Sequence, residues 1–214
     1  MIKVLHIVPS AFDYFEKIRK EAFLLVDSLN ELGFDNYVFT LQYQAVNKRL
    51  EKKVQGETRG KMGFEKIYNI VEIKEKMDEA DIIHLHVPFL GMGKKILEYK
   101  KNNPQKKFIV TLHPGLPYVD FFTIIIWLYN SWYLSRVFAI ADFVVVENED
   151  IFKKAGGFNK LRDGKKLVLI NDFINFIKEN NPTITEKLGE LKKDDSSTYS
   201  ALAYGELYRL LRGE

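Results

Sequence analysis

The feature that most constrains this chain is a set of unbroken apolar runs too short to be helices. "KVLHIVP" (3–9), "DIIHLHV" (81–87), "KKFIVTLH" (106–113) and "DFVVVEN" (142–148) place β-branched or aromatic residues on consecutive positions. A strand with one wet face alternates apolar and polar residues. A strand apolar at nearly every position is buried on both faces, the habit of parallel sheets covered by helices.

Amphipathic segments separate these runs. "FEKIRKEAFLLVDSLNELG" (15–33) has apolar residues at helical spacing and ends on Gly33, a residue suited to the position just past a helix C-terminus. "YVFTLQY" (37–43) reads as a second strand, and Asn47 to Gly63 as a loop or partly helical excursion. "EKIYNIVEIKEKMDEA" (65–80), "GKKILEYKKNN" (93–103) and "EDIFKKAGG" (149–157) read as helices, and "KKLVLIND" (165–172) as the last strand. Strands alternating with helices predict an α/β fold: a Rossmann-like three-layer sandwich with a mostly parallel sheet and right-handed crossovers. The expected organisation is a Rossmann-like domain over residues 1–178, then a polar linker and a C-terminal helix, 179–214, packing back on it. Leu202, Leu207, Tyr208, Leu210 and Leu211 are the apolar residues expected to face the sheet's outer layer.

Charge and composition narrow the function classes. A net charge of +3 over 214 residues, with lysines scattered, is too small and too diffuse for a nucleic-acid groove. The absence of cysteine excludes disulfides, thiolate metal sites and cysteine nucleophiles, and fits a cytoplasmic protein. The N-terminal apolar run is too short for a signal peptide. The aromatic stretch from Val119 to Val146 is interrupted by Asp120, Asn130, Ser131, Arg136 and Asp142, so it does not read as a membrane span, which needs ~20 apolar residues. Its aromatic density suits core packing, a protein interface, or peripheral membrane and lipid contact. Lys94, Lys95, Lys100 and Lys101 either meet lipid phosphates or form an ordinary solvated helix face.

In open parallel α/β sheets, ligands sit beyond the carboxyl ends of the strands, where the strand order reverses. His84, His86 and His113 lie towards such strand ends, and Ser10 follows the first strand; Pro9, Pro114, Gly115 and Tyr118 are grouped with them as substrate-rim residues. For His84 and His86, residues two apart on one face of a strand, three readings stay open: buried residues satisfied by internal partners, ligand contacts, and metal ligands. No metal is expected. His6 reads as a packed or hydrogen-bonded core histidine. In "ENED" (147–150), Asn148 or Glu149 suits a helix N-cap, and Glu147 and Asn148 are alternatively cleft-facing substrate contacts.

The segments "KVLHIVPS", "SLNELGFDNYVFT", "ADIIHLHVP", "KFIVTLHPG", "ADFVVVENEDI" and "KLVLINDFINF", in this order from Met1 to Phe176, resemble the N-terminal half of glycosyltransferase family 4 enzymes. The resemblance implies a two-domain GT-B architecture. The N-terminal domain holds the acceptor, a C-terminal domain holds the nucleotide-sugar donor, and transfer occurs between them without a bound metal. It also implies that His113 contacts the transferred sugar and orients the reacting groups, as the catalytic residue on this side of the cleft. The loop after the first strand, "PSAFDYFEKIRKE", lacks the family's glycine pair, and "NDF" (171–173) stands where the family has Asn-Gly. The residues after Phe176 are too few for a donor domain. The expectation is therefore an acceptor-binding half that takes a sugar or glycolipid. It binds no cofactor tightly, and it meets a nucleotide sugar only with a donor-domain subunit as partner. The alternatives are a non-catalytic sugar-binding, lipid-binding or protein-interaction module on the same fold, and a small enzyme using His113 as general base. The expected location is cytoplasmic, with peripheral membrane contact as an option.

Overall fold

The computed structural model describes residues 1–9, 16–41, 56–60, 63–67, 70–89, 92–113, 129–147, 149–154, 167–180 and 196–213. The strands are β1 (Lys3–Val8), β2 (Asp35–Leu41), β3 (Gly56–Gly60), β4 (Gly63–Ile67), β5 (Ile82–Val87), β6 (Lys107–Leu112), β7 (Phe143–Val146) and β8 (Leu167–Leu169). They form one sheet in the order β4-β3-β2-β1-β5-β6-β7-β8. The six strands from β2 to β8 along this order are parallel, and β3 and β4 extend the β2 edge as an antiparallel pair. The fold is a Rossmann-like α/β sandwich. Its chain order reverses between β1 and β5, so their carboxyl ends mark the switch point.

The helices are α1 (Glu16–Glu31), α2 (Ile70–Glu79), α3 (Gly93–Asn102), α4 (Ser135–Ile140), α5 (Glu149–Lys154), α6 (Ile170–Asn180) and α7 (Ser196–Arg212); a π-helical turn, Tyr129–Leu134, leads into α4. Among the described residues no helix is long and apolar enough to cross a membrane. α1 ends where Gly33 adopts φ +88°, a left-handed conformation that glycine takes without a Cβ penalty.

Period-two alternation sorts each strand between two layers. Leu5, Ile7, Ile83, Leu85, Val87, Phe108, Val110 and Leu112 turn to a layer containing α2, α3 and α4. Val4, Ile82, Ile109 and Val145 turn the other way, to Leu25 and Leu29 of α1, Ile170 of α6, and Tyr204, Leu207 and Tyr208 of α7. The second layer is not continuous. Val8 and Val38 form a separate cluster with Ala22 and Val26 of α1. Between the two clusters, on the same sheet face, runs a buried polar stripe: Asn36, His6, His84, His86, Thr111 and His113.

Several expectations need correction. Gly56–Gly60 and Gly63–Ile67 are strands, so the excursion ends in a hairpin, and Glu65 to Ile67 belong to β4 instead of a helix. The polar sequences "GETRG" and "GFEKI" carry no apolar alternation; pairing to β2 makes them strands. The last strand stops at Leu169, and the helix α6 begins at once. Leu210 is exposed, and Ala201, Ala203 and Tyr204 take the sheet-facing positions with Leu207 and Tyr208. Lys100 is buried. Its Nζ donates to the carbonyls of Pro104 (2.9 Å) and Lys106 (2.5 Å) and lies 3.3 Å from Asp142 Oδ2, which removes it from any lipid-facing lysine set. In the aromatic stretch Tyr133, Leu134, Val137 and Phe138 are core, whereas Trp132 is exposed beneath the Arg136 guanidinium, 3.9 Å from its ring centre.

The first turn of α3 sits hard against the π-helical turn. A Cβ added at Gly93 would run into the Tyr133 ring. Gly93→Ala is expected to lower stability by about 1–3 kcal/mol through overpacking, read as a lower urea midpoint with unchanged slope.

Candidate functional site

The polar stripe begins with strand register. His6 on β1 pairs with His84 on β5, and His84 and His86 are two apart on one face. On β6, Thr111 pairs with His86. His113 lies just beyond that strand, and its backbone N–H donates to the Val87 carbonyl at 3.1 Å, which fastens it to the carboxyl end of β5. All four histidines of the chain are thereby gathered on one face.

His6, His84 and His86 have no solvent exposure, and His113 retains only 9 %. His84 and His86 are interior residues lying under the helical layer, with internal hydrogen-bond partners. Pro9 is buried, with its carbonyl accepting a hydrogen bond from Thr40 Oγ1 at 3.3 Å. Glu147 is exposed at the end of β7. Ser10, Pro114, Gly115, Tyr118 and Asn148 lie outside the described residues.

The side chains form two hydrogen-bond chains. In the first, Tyr208 Oη is 2.7 Å from His84 Nδ1, His84 Nε2 is 2.7 Å from Thr111 Oγ1, and Thr111 Oγ1 is 2.8 Å from Tyr204 Oη. In the second, Glu21 Oε2 lies 3.3 Å from His113 Nδ1, and His113 Nε2 lies 3.0 Å from His86 Nδ1. It continues from His86 Nε2 to His6 Nδ1 at 3.2 Å, and from His6 Nε2 to Asn36 Oδ1 at 3.2 Å. Asn36 Nδ2 then donates to Asn30 Oδ1 at 2.9 Å. Both ends of this second chain return to α1, through Glu21 near the carboxyl edge of the sheet and Asn30 a few turns on.

Burial sets the charge states. Loss of hydration lowers the His6 pKa to about 4 and pushes those of His84 and His86 well below the ordinary histidine value. Tyr204 and Tyr208 are shifted upward by the same cause and stay protonated. Glu21 is lowered, chiefly by the hydrogen bond from His113, so it stands as a carboxylate at the half-exposed end.

His6, His84 and His86 each bring a ring nitrogen within 4.8 Å of the others. As packed they do not make a metal cage. Nitrogens sharing a zinc ion at its ~2.0–2.1 Å bond length point their in-plane lone pairs at one spot. The His84 ring instead stacks on His86, with centres 4.2 Å apart and planes at 27°, and both His84 nitrogens already meet hydroxyls. The arrangement can move or hold protons, and its titratable edge near solvent among the described residues is the His113–Glu21 pair.

Sequence reasoning grouped three histidines and missed Glu21, Asn36, Thr111 and Tyr204, and it placed Tyr208 only as a sheet-facing residue of the C-terminal helix. Thr111 was readable, being two residues before His113 on the same strand face. Glu21 was partly so, since it adjoins the buried positions Ile18, Ala22 and Leu25 of α1. Compared with known proteins, the chain matches no family model and no curated sequence.

Proposed function

We propose that this chain is the acceptor-binding half of a GT-B glycosyltransferase resembling family 4, taking a sugar or glycolipid at the carboxyl edge of its sheet. On this reading a nucleotide sugar is supplied on a partner domain, and transfer occurs only when that partner closes the cleft. The observation that carries the reading is the course of α7. It lies against α1 and α6 on the sheet face, packing Tyr204, Leu207 and Tyr208 inward. Many two-domain enzymes of this kind end with a helix that crosses back in this way.

The switch point between β1 and β5 is where such a fold takes ligands, and His113 and Glu21 bring a nitrogen-bearing ring and a carboxylate to that edge. A sugar hydroxyl meeting them donates to the Glu21 carboxylate, while the imidazole orients it. The reading assigns stabilisation of the departing diphosphate, which needs preorganised positive charge or amide donors, to the partner.

The test is sugar transfer by the purified chain with and without a donor-binding domain of the GT-B kind, together with acceptor binding by calorimetry. Transfer appearing only with the partner supports the reading. His113→Ala is expected to weaken acceptor binding about tenfold or more, the loss of one charge-assisted or well-placed hydrogen bond in a desolvated site. Unchanged binding would remove His113 from the rim. A second reading, a non-catalytic binding module, is favoured by one observation: every ring nitrogen of the four histidines already has a partner inside the chain. Acceptor binding without transfer under any pairing would select it.

A further inference from the structure

The two histidine chains differ in their proton count. Three junctions link Tyr208, His84, Thr111 and Tyr204, and these groups in their neutral forms carry four N–H or O–H protons between them. That chain is complete without any charge beyond the ordinary.

The other chain is one proton short. It has four junctions: Glu21–His113, His113–His86, His86–His6 and His6–Asn36. Its terminal atoms, the Glu21 carboxylate and Asn36 Oδ1, only accept, and three neutral imidazoles own three N–H protons. With the amides as they stand, one junction sets lone pair against lone pair at hydrogen-bonding distance.

We propose that the Glu21–His113–His86–His6–Asn36 chain is a buried binding site for one proton, carried as a His113 imidazolium against the Glu21 carboxylate. In the loaded state His113 donates from both nitrogens, to Glu21 Oε2 and His86 Nδ1. His86 then donates from Nε2 to His6 Nδ1, and His6 from Nε2 to Asn36 Oδ1. All four junctions are filled, the two innermost rings are neutral, and the charge sits at the half-exposed edge. Burial of His6 and His86, which opposes charge on either ring, is respected.

Unloading releases one proton and reverses the line. His113 keeps only Nδ1–H towards Glu21, and His86 and His6 each move their proton from Nε2 to Nδ1. His6 Nε2 becomes an acceptor, so the Asn36 amide turns its NH2 towards it and Asn30 turns its own NH2 to Asn36 Oδ1. Among the described residues, the hydrogen bond lost by that double turn is the long one from Asn36 N–H to Asn30 Oδ1, 3.4 Å. The loaded state confines an ion pair, and the unloaded state gives up one weak bond. These small opposing terms make the proton exchangeable. The charged and titratable groups facing the chain are few among the described residues: Glu21 from α1, with exposed Lys17 3.8 Å from its other oxygen, His84 from β5, and Tyr204 and Tyr208 from α7. The site needs no sugar and does not rest on the acceptor-half reading.

The experiment is nitrogen NMR of the full chain labelled with 15N-histidine, followed as pH rises through the range in which the fold is intact. The expected result is one concerted step in which His113 loses a proton and His86 and His6 exchange Nε2–H for Nδ1–H. Glu21→Gln supplies an amide donor to His113 Nδ1, completes the chain with three neutral rings, and is expected to abolish the step with Nε2–H throughout. Asn36→Asp makes the inner end a stronger acceptor and is expected to move the step to higher pH. Constant tautomers at His6 and His86 in the unmodified chain would overturn the proposal, as would a step that persists in Glu21→Gln. Zinc added to the unmodified chain is expected to leave these resonances unmoved; displacement of the ring protons with a rise in thermal stability would make the site a metal site and overturn the proton assignment.

Discussion

Tyr208→Ala is expected to lower the folding stability by about 3–5 kcal/mol, the range for removing a fully buried aromatic side chain from a core. Among the described residues Tyr208 is the largest side chain with no solvent exposure, and it is the point where α7 meets the histidine face. Its ring stands edge-on to Phe34, with centres 5.7 Å apart, and edge-on to His84 at 5.9 Å, and its hydroxyl lies 2.7 Å from His84 Nδ1. The alanine variant loses the packing and the donor together. Tyr208→Phe isolates the second loss: the ring stays and a buried ring nitrogen is left without its partner, which costs about 1–3 kcal/mol. Urea unfolding of the three proteins separates these contributions. A loss below about 1 kcal/mol for the alanine variant, well outside the range for a seated aromatic, would mean that α7 does not cover the sheet as described.

Acid is expected to unfold the protein through its histidines before most carboxylates titrate. His6 is held neutral by burial, with a pKa of about 4, whereas the unfolded chain binds that proton near 6.5. Below about pH 6.5 the unfolded state therefore carries more protons than the folded state, so stability falls as pH drops from there towards 4. A difference of this size on a fully buried group amounts to roughly 3 kcal/mol when complete. His84 and His86 are shifted in the same direction by the same cause and steepen the fall. Glu21, lowered by its bond from His113, adds to the loss only where pH falls through the carboxylate range. The check is the urea midpoint at pH 7 and at pH 5. Replacing His6 by glutamine is expected to flatten the acid limb, and equal stability of the unmodified protein at the two pH values would mean that water reaches these rings.

Much of the sheet was legible because parallel strands buried on both faces leave a local mark. The runs at 82–87, 107–112 and 143–146 were each recognisable to within a residue or two. The hairpin of β3 and β4 left no such mark, since its pairing to β2, and not its own composition, makes it a strand. α6 did leave one. Ile170, Phe173, Ile174 and Ile177 follow helical spacing and pack into the core, but the strand immediately before them drew the helix's first residues into its reading. At the site, the face shared by His84 and His86 follows from their spacing. That His6 stands beside His84 requires the β1–β5 register, and that tyrosines from α7 cover them requires a contact across 124 positions. Neither is local information.

That separation bears on how the chain reaches its fold. Strands β1, β5 and β6 can assemble with α1, but the face they present there waits for a helix supplied much later in the sequence, and contacts of long sequence separation form slowly. A waiting face lined with isoleucine and valine would invite its neighbours to stick. Here the vacant lane is floored by imidazoles and a threonine, which water can wet until Tyr204 and Tyr208 arrive. The same groups that hold α7 in place thus act as a non-stick surface for the unfinished molecule.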